Sequence, residues 1–446
     1  MSRSLSYSFL KIKIIPPKNF TTFFLHYYWI WFTLASIIFI SCSATERYAT
    51  KEETIKTASE EKKISTHRET SRLAAEIRVM LGEVKQDQLL SVETSVYLSD
   101  SLSQLTLIEA GSKVFCSEID GNLDLTVNGE NFIGQKYYFS SANGNEEIIN
   151  INGKRYRGQI QISIFNNSID LINIVRLEDY VKGVMAKEMP LGKNNENFEA
   201  LKALSVCIRT YAIKKMMGNK IYFDLYDDTR DQVYGGVDAE SQLSNKATDE
   251  TKNLILKYAA QPALLYYHST CGGYTESVEN VFTQEPIPYL ISIQDGNEPY
   301  CIISPRFRWE EIYDHEELIY RLKKYSLLDD TDYFLEDIFI KNRFESGRVA
   351  ELEVVVLDDN DDEKVIVLKG NEIRNILRTA NNKNILWSTM FDISVDKNYV
   401  RITGRGFGHG VGLCQWGAIA LSRMGWDFRE IIQHYYPGID LGNYND

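Results

Sequence analysis

Between Ile77 and Arg176, apolar residues occur in short runs separated by Gly, Asn and Asp. Eight runs are rich in β-branched and aromatic residues: IRVMLG, SVYLS, KVFCSEI, LDLTV, KYYFSS, EIININGKRYRG, QIQISIF and IDLINIV. Short runs bounded by turn-forming residues are typical of strands. The pattern therefore predicts a β-rich region of about eight strands.

After residue 176 the spacing of apolar residues changes to that of a helix. Five apolar residues with i, i+3, i+4, i+7, i+8 spacing share one face of a helix predicted over 177–189: Leu177, Tyr180, Val181, Val184 and Met185. A second helix is predicted over 198–217, where Gly218 ends it, and a third over 241–254.

The remaining residues mix both types of element. ALLYYHST (263–270) predicts a strand, and CGGYT a glycine-rich turn. A charged helix is predicted over 310–326, strands over 349–357 and 364–370, and a final short helix after the glycine-rich motif at 404–425. We expect an α+β fold in which a β-rich N-terminal part precedes a helical pair and glycine-rich loops line a groove. The expected domain spans 77–440, with core motifs in 165–300 and 401–440.

Glu188 ends the apolar stripe of the first predicted helix, four residues after Val184 and two before Pro190. Partial burial and the negative end of its own helix both disfavour a charged carboxylate, so we expect a raised pKa. A carboxyl group that keeps its proton near neutral pH is a candidate general acid for glycosidic cleavage. The alternative is a carboxylate that extends into water at the helix end.

The second predicted helix carries a polar strip beside its apolar stripe. Phe198, Leu201, Leu204, Ile208 and Tyr211 form the stripe, and the strip consists of Lys202, Ser205 and Arg209. The strip is either a solvated face or a surface for the hydroxyl, acetamide and carboxylate groups of a glycan.

Charge and hydropathy set the N-terminal residues apart. The 446-residue chain has a formal net charge of −13, which argues against nucleic acid as its ligand. Basic residues, an apolar stretch at 23–41 and then Cys42 resemble a secretory signal with a lipidated cysteine, and a single membrane-spanning anchor is the alternative. Residues 43–76 are charged and predict a flexible linker after this 1–42 leader. We expect an exported, membrane-anchored protein of the periplasm or cell envelope.

Five cysteines follow the predicted leader: Cys116, Cys207, Cys271, Cys301 and Cys414. Export permits disulfides, and we expect one between Cys271 and Cys301. The alternatives are free thiols, a Cys207–Cys414 pair, and a metal site of His268, Cys271 and Cys301, whose spacing is not that of a standard zinc motif. We expect no metal and no cofactor.

The segment GRGFGHGVG lacks the Lys-Ser/Thr pair of a phosphate-binding loop. Its glycines allow close backbone approach and positive φ angles, which predicts that His409 and Gln415 face a groove. A histidine buried in the core is the alternative for His409.

Several of these segments together resemble the stage II sporulation protein D / LytB (amidase enhancer) family. The resemblance rests on EDYVKGVMAKEMP, EALKALSVCIRTYA, TRDQVYGG, YHSTCGGYTESVENVF, and GRGFGHGVGLCQWGA followed by HYYPG, in this order. It implies a lytic transglycosylase that acts on peptidoglycan glycan strands without stem peptides. The acid of the family's E-M-P motif corresponds to Glu188, and its supporting basic residues correspond to Lys202 and Arg209. Further candidate substrate contacts in these motifs are Tyr211, Gln232, His409 and Gln415.

The resemblance has two departures and leaves alternatives open. The segment LGKNNENF after Pro190 is longer than in relatives and lacks their tryptophan, and the stretch before Q-V-Y has no zinc-binding His or Cys. A hydrolytic mechanism would need a second carboxylate, for which Asp179 and Asp231 are candidates. The contrasting function is a non-enzymatic glycan-binding module that stimulates a cell-wall amidase. A cysteine enzyme using Cys271 and His268 is a third hypothesis.

Overall fold

The computed structural model describes residues 76–85, 87–100, 105–143, 148–218, 221–282 and 284–445. The predicted leader, its lipidation site Cys42 and the linker up to residue 75 lie outside the described residues. No helix among the described residues has the length and hydropathy needed to cross a bilayer.

The N-terminal part consists of antiparallel strands in three sheets. Twelve strands precede the first helix in the described residues: β1 Glu76–Val84, β2 Gln88–Ser91, β3 Val96–Ser99, β4 Leu105–Ile108, β5 Lys113–Ile119, β6 Asn122–Val127, β7 Glu130–Gly134, β8 Lys136–Ser141, β9 Ile148–Ile151, β10 Lys154–Arg157, β11 Gln159–Phe165 and β12 Ser168–Arg176. The eight predicted runs are all present as strands. The prediction missed the short strands β2, β4 and β7, and it read the β9–β10 hairpin as one strand although Asn152 and Gly153 form its turn with positive φ.

The described residues contain seven helices: α1 Leu177–Glu188, α2 Phe198–Met216, α3 Gln242–Glu250, α4 His315–Lys324, α5 Glu372–Leu377, α6 Gln415–Arg423 and α7 Phe428–Tyr435. Twelve further strands are β13 Leu225–Tyr226, β14 Leu254–Tyr258, β15 Gln261–Pro262, β16 Tyr267–His268, β17 Arg308–Asp314, β18 Tyr333–Arg343, β19 Val349–Asp358, β20 Glu363–Lys369, β21 Phe391–Val395, β22 Tyr399–Arg405, β23 Leu413–Cys414 and β24 Asp440–Asn443. The fold is therefore mixed α+β and rich in strands.

The largest sheet leads directly into the first helix. Its strand order is β13-β1-β12-β11-β8-β3-β4, and β1 pairs antiparallel with β12 from Glu76 opposite Arg176 to Val84 opposite Ile169. Helix α1 begins at the residue after β12 ends. All five residues of its predicted apolar stripe are buried, so the helix lies with that face against the core.

Two hydrophobic cores are present. The first contains residues from 77 to 307 and from 411 to 439, and it includes α1, α2, α6 and α7. The second is formed by residues between 309 and 402, which include β17–β22 with α4 and α5. The second core is thus formed by a continuous insertion between the two segments that form the first core.

Three boundaries differ from the sequence predictions. The first five residues of the predicted helix 310–326 belong to strand β17, which pairs with β22, and α4 begins only at His315. In ALLYYHST only Tyr267 and His268 form a strand, paired with Leu413 and Cys414. The predicted third helix ends at Glu250, because the following residues enter β14.

The polar strip of α2 faces protein and not solvent. Arg209 is 0% exposed, and its guanidinium donates to both oxygens of Glu178 at 2.9 and 2.7 Å and to the Leu254 carbonyl at 3.0 Å. Ser205 is also buried, where its hydroxyl bonds that of Thr251 at 2.8 Å. The structure therefore contradicts the prediction that Arg209 contacts a substrate. The N–H groups of its guanidinium are already bonded to Glu178 in α1 and Leu254 in β14.

Replacing Glu178 with Gln should destabilise the protein by about 3 kcal/mol, because it leaves the Arg209 charge buried without its partner. Chemical denaturation measures the free energy of unfolding. Asp228→Asn is the matched control, since Asp228 forms an ion pair with Arg230 at the surface and its loss should change the unfolding free energy little. Equal effects of the two variants would contradict a structural role for the buried pair.

Candidate functional site

Glu188 is the last residue of α1, and its side chain is partly buried. The helix ends here because Met189 adopts an extended conformation with its side chain in the core, and Pro190 follows. The carboxyl group therefore lies at the carbonyl end of the helix, beside the first core, where the sequence pattern predicted it.

Two distant segments supply hydrogen bonds to the Glu188 carboxyl group. The backbone N–H of Val233 donates to Oε1 at 2.9 Å, and Nε2 of Gln415, the first residue of α6, lies 3.5 Å from Oε2. The EMP, DQVYGG and LCQWGA segments thus meet at one carboxyl group. Oε1 is held firmly by the backbone, whereas the contact of Oε2 is long and weak.

Burial raises the pKa of the Glu188 carboxyl, and the hydrogen bonds from Val233 and Gln415 partly oppose this shift. No Lys, Arg or His in the described part of the chain forms an ion pair with Glu188 that would counteract the effect of burial. The direction agrees with the expectation from the sequence. A carboxyl group of this kind binds its proton more tightly than an exposed glutamate does.

Gln232 lies beneath Glu188 and is 1% exposed. Its Oε1 accepts from the Tyr180 hydroxyl and its Nε2 donates to the Tyr267 hydroxyl, both at 3.0 Å. Burial raises the pKa of both phenols, and the nearby Glu188 charge adds to each shift. The sequence predicted that Gln232 touches the substrate directly, but its buried position does not allow this. Gln232 instead bonds two neutral tyrosines and directly precedes Val233, whose amide bonds Glu188.

Tyr211 contacts a buried carboxylate and is only partly accessible. Its hydroxyl donates to Asp231 Oδ1 at 2.8 Å, and Lys215 Nζ lies 2.7 Å from the same oxygen. The Asp231 side chain is 2% exposed and also accepts from the Tyr226 amide at 2.9 Å. These contacts leave Asp231 unsuited to act on an incoming water molecule.

Asp179 is the other candidate for a second carboxylate, and it lies on the same helix as Glu188. Nine residues of helix separate the two along the axis by about 13.5 Å. The two carboxyl groups of glycosidases are about 5 to 9.5 Å apart. The geometry therefore disfavours the two-carboxylate alternative with either of its candidates.

His409 holds the glycine-rich loop to β16. Its Nε2 donates to the Tyr267 carbonyl at 3.0 Å, and the Val411 amide donates to its Nδ1 at 3.1 Å. Burial lowers the pKa of His409 to about 3, with the charges of Arg374 and Arg348 contributing. Both ring nitrogens are thus occupied, so the predicted groove contact of His409 is replaced by a structural role.

Lys202 is not brought to Glu188. Its Nζ lies 2.6 Å from Glu199 and 3.5 Å from Glu250, and 5.3 Å from the centre of the Phe428 ring. Of the six predicted substrate-binding residues, the structure places Gln415 against Glu188 and Gln232 beneath it. Lys202 and Arg209 are held in other ion pairs.

The segment after Pro190, which we expected from the sequence to depart from the family pattern, packs on the end of α6. Asn197 is buried, donates to the Pro190 carbonyl at 2.9 Å and accepts from Arg423 Nε at 2.9 Å. Glu196 forms an ion pair with Arg423 at 2.8 Å. These contacts connect the segment that follows α1 to the end of α6, next to Glu188.

The predicted disulfide between Cys271 and Cys301 is not present. Their sulfur atoms are 3.4 Å apart, well beyond the bond length of about 2.05 Å, and both thiols are free and buried. Cys207 contacts the Tyr436 hydroxyl instead of Cys414. His268 bonds the Val411 carbonyl through Nδ1, and in the described part of the chain its ring is not among the ligand atoms that lie together with Cys271 and Cys301.

Sequence reasoning missed three parts of this site: the Val233 amide, Tyr180 and Tyr267. Tyr180 was read only as part of the apolar stripe, and Tyr267 only as a strand residue. The available signal was that a partly buried carboxyl group needs hydrogen-bond donors, but this requirement does not identify which segment supplies them.

The chain is similar in sequence to several known proteins. A profile described as "Stage II sporulation protein" matches residues 165–258, and one described as a domain of unknown function matches 303–412, the region of the second core. A protein of Brachyspira hyodysenteriae is 30% identical over 372 residues, which cover 83% of this chain and 93% of that protein. The amidase enhancer of Bacillus subtilis is 29% identical over 59% of this chain and 40% of its own length, and the stage II sporulation protein D of Bacillus amyloliquefaciens is 29% identical over 63% and 78%.

His409 should stay neutral from pH 5 to pH 8, because its pKa of about 3 lies below this range. Its ring ¹⁵N chemical shifts should remain those of the neutral form with the proton on Nε2, whereas an unperturbed histidine titrates near pH 6.5. The His409→Gln variant assigns the signal by its loss. A titration midpoint inside this window would contradict the structural role.

Proposed function

The chain belongs to the stage II sporulation protein D and amidase enhancer family, and we propose that it cleaves the glycan strands of peptidoglycan as a lytic transglycosylase. Glu188 is the general acid and base of this proposal. The observation that supports it is a partly buried carboxyl group with a raised pKa, without a paired cation among the described residues and with one weakly held oxygen.

The first step uses the proton on Oε2 of Glu188. Oε1 accepts from Val233, so Oε2 carries the proton toward the substrate. Proton transfer to the glycosidic oxygen accompanies cleavage of the bond between that oxygen and C1 of the muramic acid residue. The leaving sugar departs with a new hydroxyl group, and positive charge develops at C1.

The second step regenerates the acid without water. The Glu188 carboxylate accepts the proton of the muramic acid 6-hydroxyl, and the oxygen of that hydroxyl bonds to C1. The product is a 1,6-anhydro ring, and Glu188 is protonated again. One carboxyl group suffices for both steps, which fits the unsuitability of Asp179 and Asp231 as a second one.

The buried neutral groups around Glu188 support this chemistry. Tyr180, Tyr267 and Gln232 provide hydrogen bonds to one another without a charge, and Gln415 Nε2 stabilises Oε2 when the carboxylate forms. We also propose that the protein acts in the cell envelope, tethered to a membrane by its N-terminal leader, since peptidoglycan lies outside the cytoplasm.

A second candidate function is a glycan-binding module that stimulates an amidase without cleaving glycan itself. The name of the Bacillus subtilis relative, amidase enhancer, favours this alternative, although this chain covers 40% of that protein. A cell-wall amidase is then the proposed partner. The two functions differ in whether new glycan ends form in the absence of an amidase.

Glu188→Gln should reduce glycan cleavage by about 100- to 10,000-fold while glycan binding is retained, because only proton transfer is lost. Mass spectrometry of denuded glycan strands incubated with the detergent-solubilised full chain measures new 1,6-anhydro-muramyl ends. Asp179→Asn, on the same helix, is the matched control and should stay active. Wild-type protein that binds strands and stimulates an amidase without forming new ends would establish the module instead, and new reducing ends would establish a hydrolase.

The same variant should change how stability depends on pH. The folded state raises the pKa of Glu188, so wild-type stability falls as pH rises from the unfolded value near 4.3 through the folded value. Glu188→Gln lacks this loss, and its unfolding free energy relative to wild type should increase over that range and then level off. Urea unfolding from pH 4 to pH 8 measures the difference. A difference that does not vary with pH would show that Glu188 ionises as an exposed glutamate.

A further inference from the structure

Three cysteines and one aspartate form a buried group at the start of α6. The thiol cluster, defined here as Cys271, Asp295, Cys301 and Cys414, has one ligand atom from each residue within 4.8 Å of the others. All four residues are buried. They come from the HSTCGG turn, the segment 295–301 and the start of α6, which are far apart in sequence.

The spacing within the thiol cluster suits a single tetrahedral ion. Zinc bound by thiolates at about 2.3 Å in tetrahedral geometry places neighbouring sulfur atoms about 3.8 Å apart. The Cys271 and Cys301 sulfurs are 3.4 Å apart, and every pair of ligand atoms falls within 4.8 Å. Thiolate sulfur and carboxylate oxygen are both ligands that zinc takes, and four protein ligands match the closed coordination of a structural site.

Backbone amides point at two of the sulfurs. The Cys271 amide donates to Cys414 Sγ at 3.2 Å, the Gly417 amide to Cys414 Sγ at 3.4 Å, and the Gly273 amide to Cys271 Sγ at 3.4 Å. Amide donors of this kind stabilise a charged thiolate, the form that binds metal. Glycine is required at 417, because a Cβ there would lie 3.0 Å from Asp295 Oδ1 and closer still to the Tyr435 hydroxyl.

Asp295 is oriented like a metal ligand with an outer shell of donors. It is 0% exposed, the Tyr435 hydroxyl donates to Oδ1 at 2.6 Å, and the Cys301 amide donates to Oδ2 at 3.2 Å. Outer hydrogen bonds fix the direction of a ligating carboxylate and leave further lone pairs for the ion.

Arg348 is a buried cation beside the thiol cluster, and its charge also interacts with the buried carboxylate of Glu276. It is 0% exposed, and its Nη2 donates to the Cys271 carbonyl at 2.6 Å. Its Nε and Nη1 have no hydrogen-bond partner among the described residues. Three thiolates, one carboxylate and one divalent cation carry a net charge of −2, which compensates a buried guanidinium.

We propose that the thiol cluster binds one Zn²⁺ ion that closes the first core around the start of α6. A Cys271–Cys301 disulfide would leave Cys414 and Asp295 without a role for their position within 4.8 Å of both other cysteines. The ion replaces the thiol protons, so binding releases them to solvent. This zinc site differs from the expectation from the sequence, which considered His268 as a ligand and favoured a disulfide between Cys271 and Cys301.

The ion fixes a residue of the substrate site. Cys414 directly precedes Gln415, whose amide lies against Oε2 of Glu188. Metal binding therefore holds the start of α6 at the distance that this contact requires. This consequence rests on the proposed function, whereas binding of the ion does not.

Elemental analysis of the full chain, purified in detergent without chelator or reductant, should find about one zinc per chain. Asp295→Asn and Cys414→Ser should lower the zinc content severalfold, while Cys207→Ser, a buried cysteine of the same core outside the thiol cluster, should leave it unchanged. Where a variant fails to fold, wild-type protein still answers: titration with an organomercurial should release zinc as the thiols react. Cobalt-loaded wild type should show the intense sulfur-to-metal charge-transfer absorption of thiolate ligands.

Two results would overturn the proposal. One is wild-type protein without metal in which peptide mapping finds a Cys271–Cys301 disulfide. The other is a zinc content that stays at the wild-type level in both cluster variants. Because these measurements do not use glycan cleavage, they can fail while the proposed function stands, and the reverse also holds.

Discussion

The candidate site depends on a carboxyl group that is withdrawn from water without a counter-charge among the described residues. A lysine or arginine paired with Glu188 would lower its pKa and release the proton that general acid catalysis needs. Three cations of α2 are paired with other acids: Glu178 pairs with Arg209, Asp231 with Lys215, and Glu199 with Lys202. Of these ion pairs, Glu178–Arg209 joins α1 to α2, and none of the three cations is paired with Glu188.

The groups that do contact or surround Glu188 are polar and uncharged. They are a backbone amide, two glutamines and two tyrosines, and His409, which bonds the Tyr267 carbonyl, is neutral as well. Such a network provides hydrogen bonds and fixed positions without stabilising the ionised carboxylate strongly. Every buried polar group in this network needs a hydrogen-bond partner. Gln232 is therefore buried between the hydroxyls of Tyr180 and Tyr267 and does not face the solvent.

Local patterns in the sequence predicted the elements, but not the contacts between them. The apolar stripe of α1 and the position of Glu188 at its end follow from helical periodicity, and the structure has both. The polar strip of α2 was ambiguous, because Lys202 and Arg209 have the same spacing whether they face solvent or buried acids. Only the packing of α1, α3 and β14 against α2 decides that they face acids. Similarly, HSTC and the distant Cys301 suggested a pair, whereas the approach of Cys414 and Asp295 depends on the return of the chain to the first core.

That return has a consequence for how the protein folds. The first core contains residues up to 307 and residues from 411 onward, with a separate core formed between them. During synthesis the strands and the first three helices emerge long before α6 and α7. The apolar surface that they contribute to the first core therefore stays exposed until residues more than a hundred positions later are made. Contacts between residues this far apart in sequence form slowly. The intervening region has its own core and can fold while the ribosome is still adding the C-terminal helices, which shortens the effective loop that must close around the completed protein.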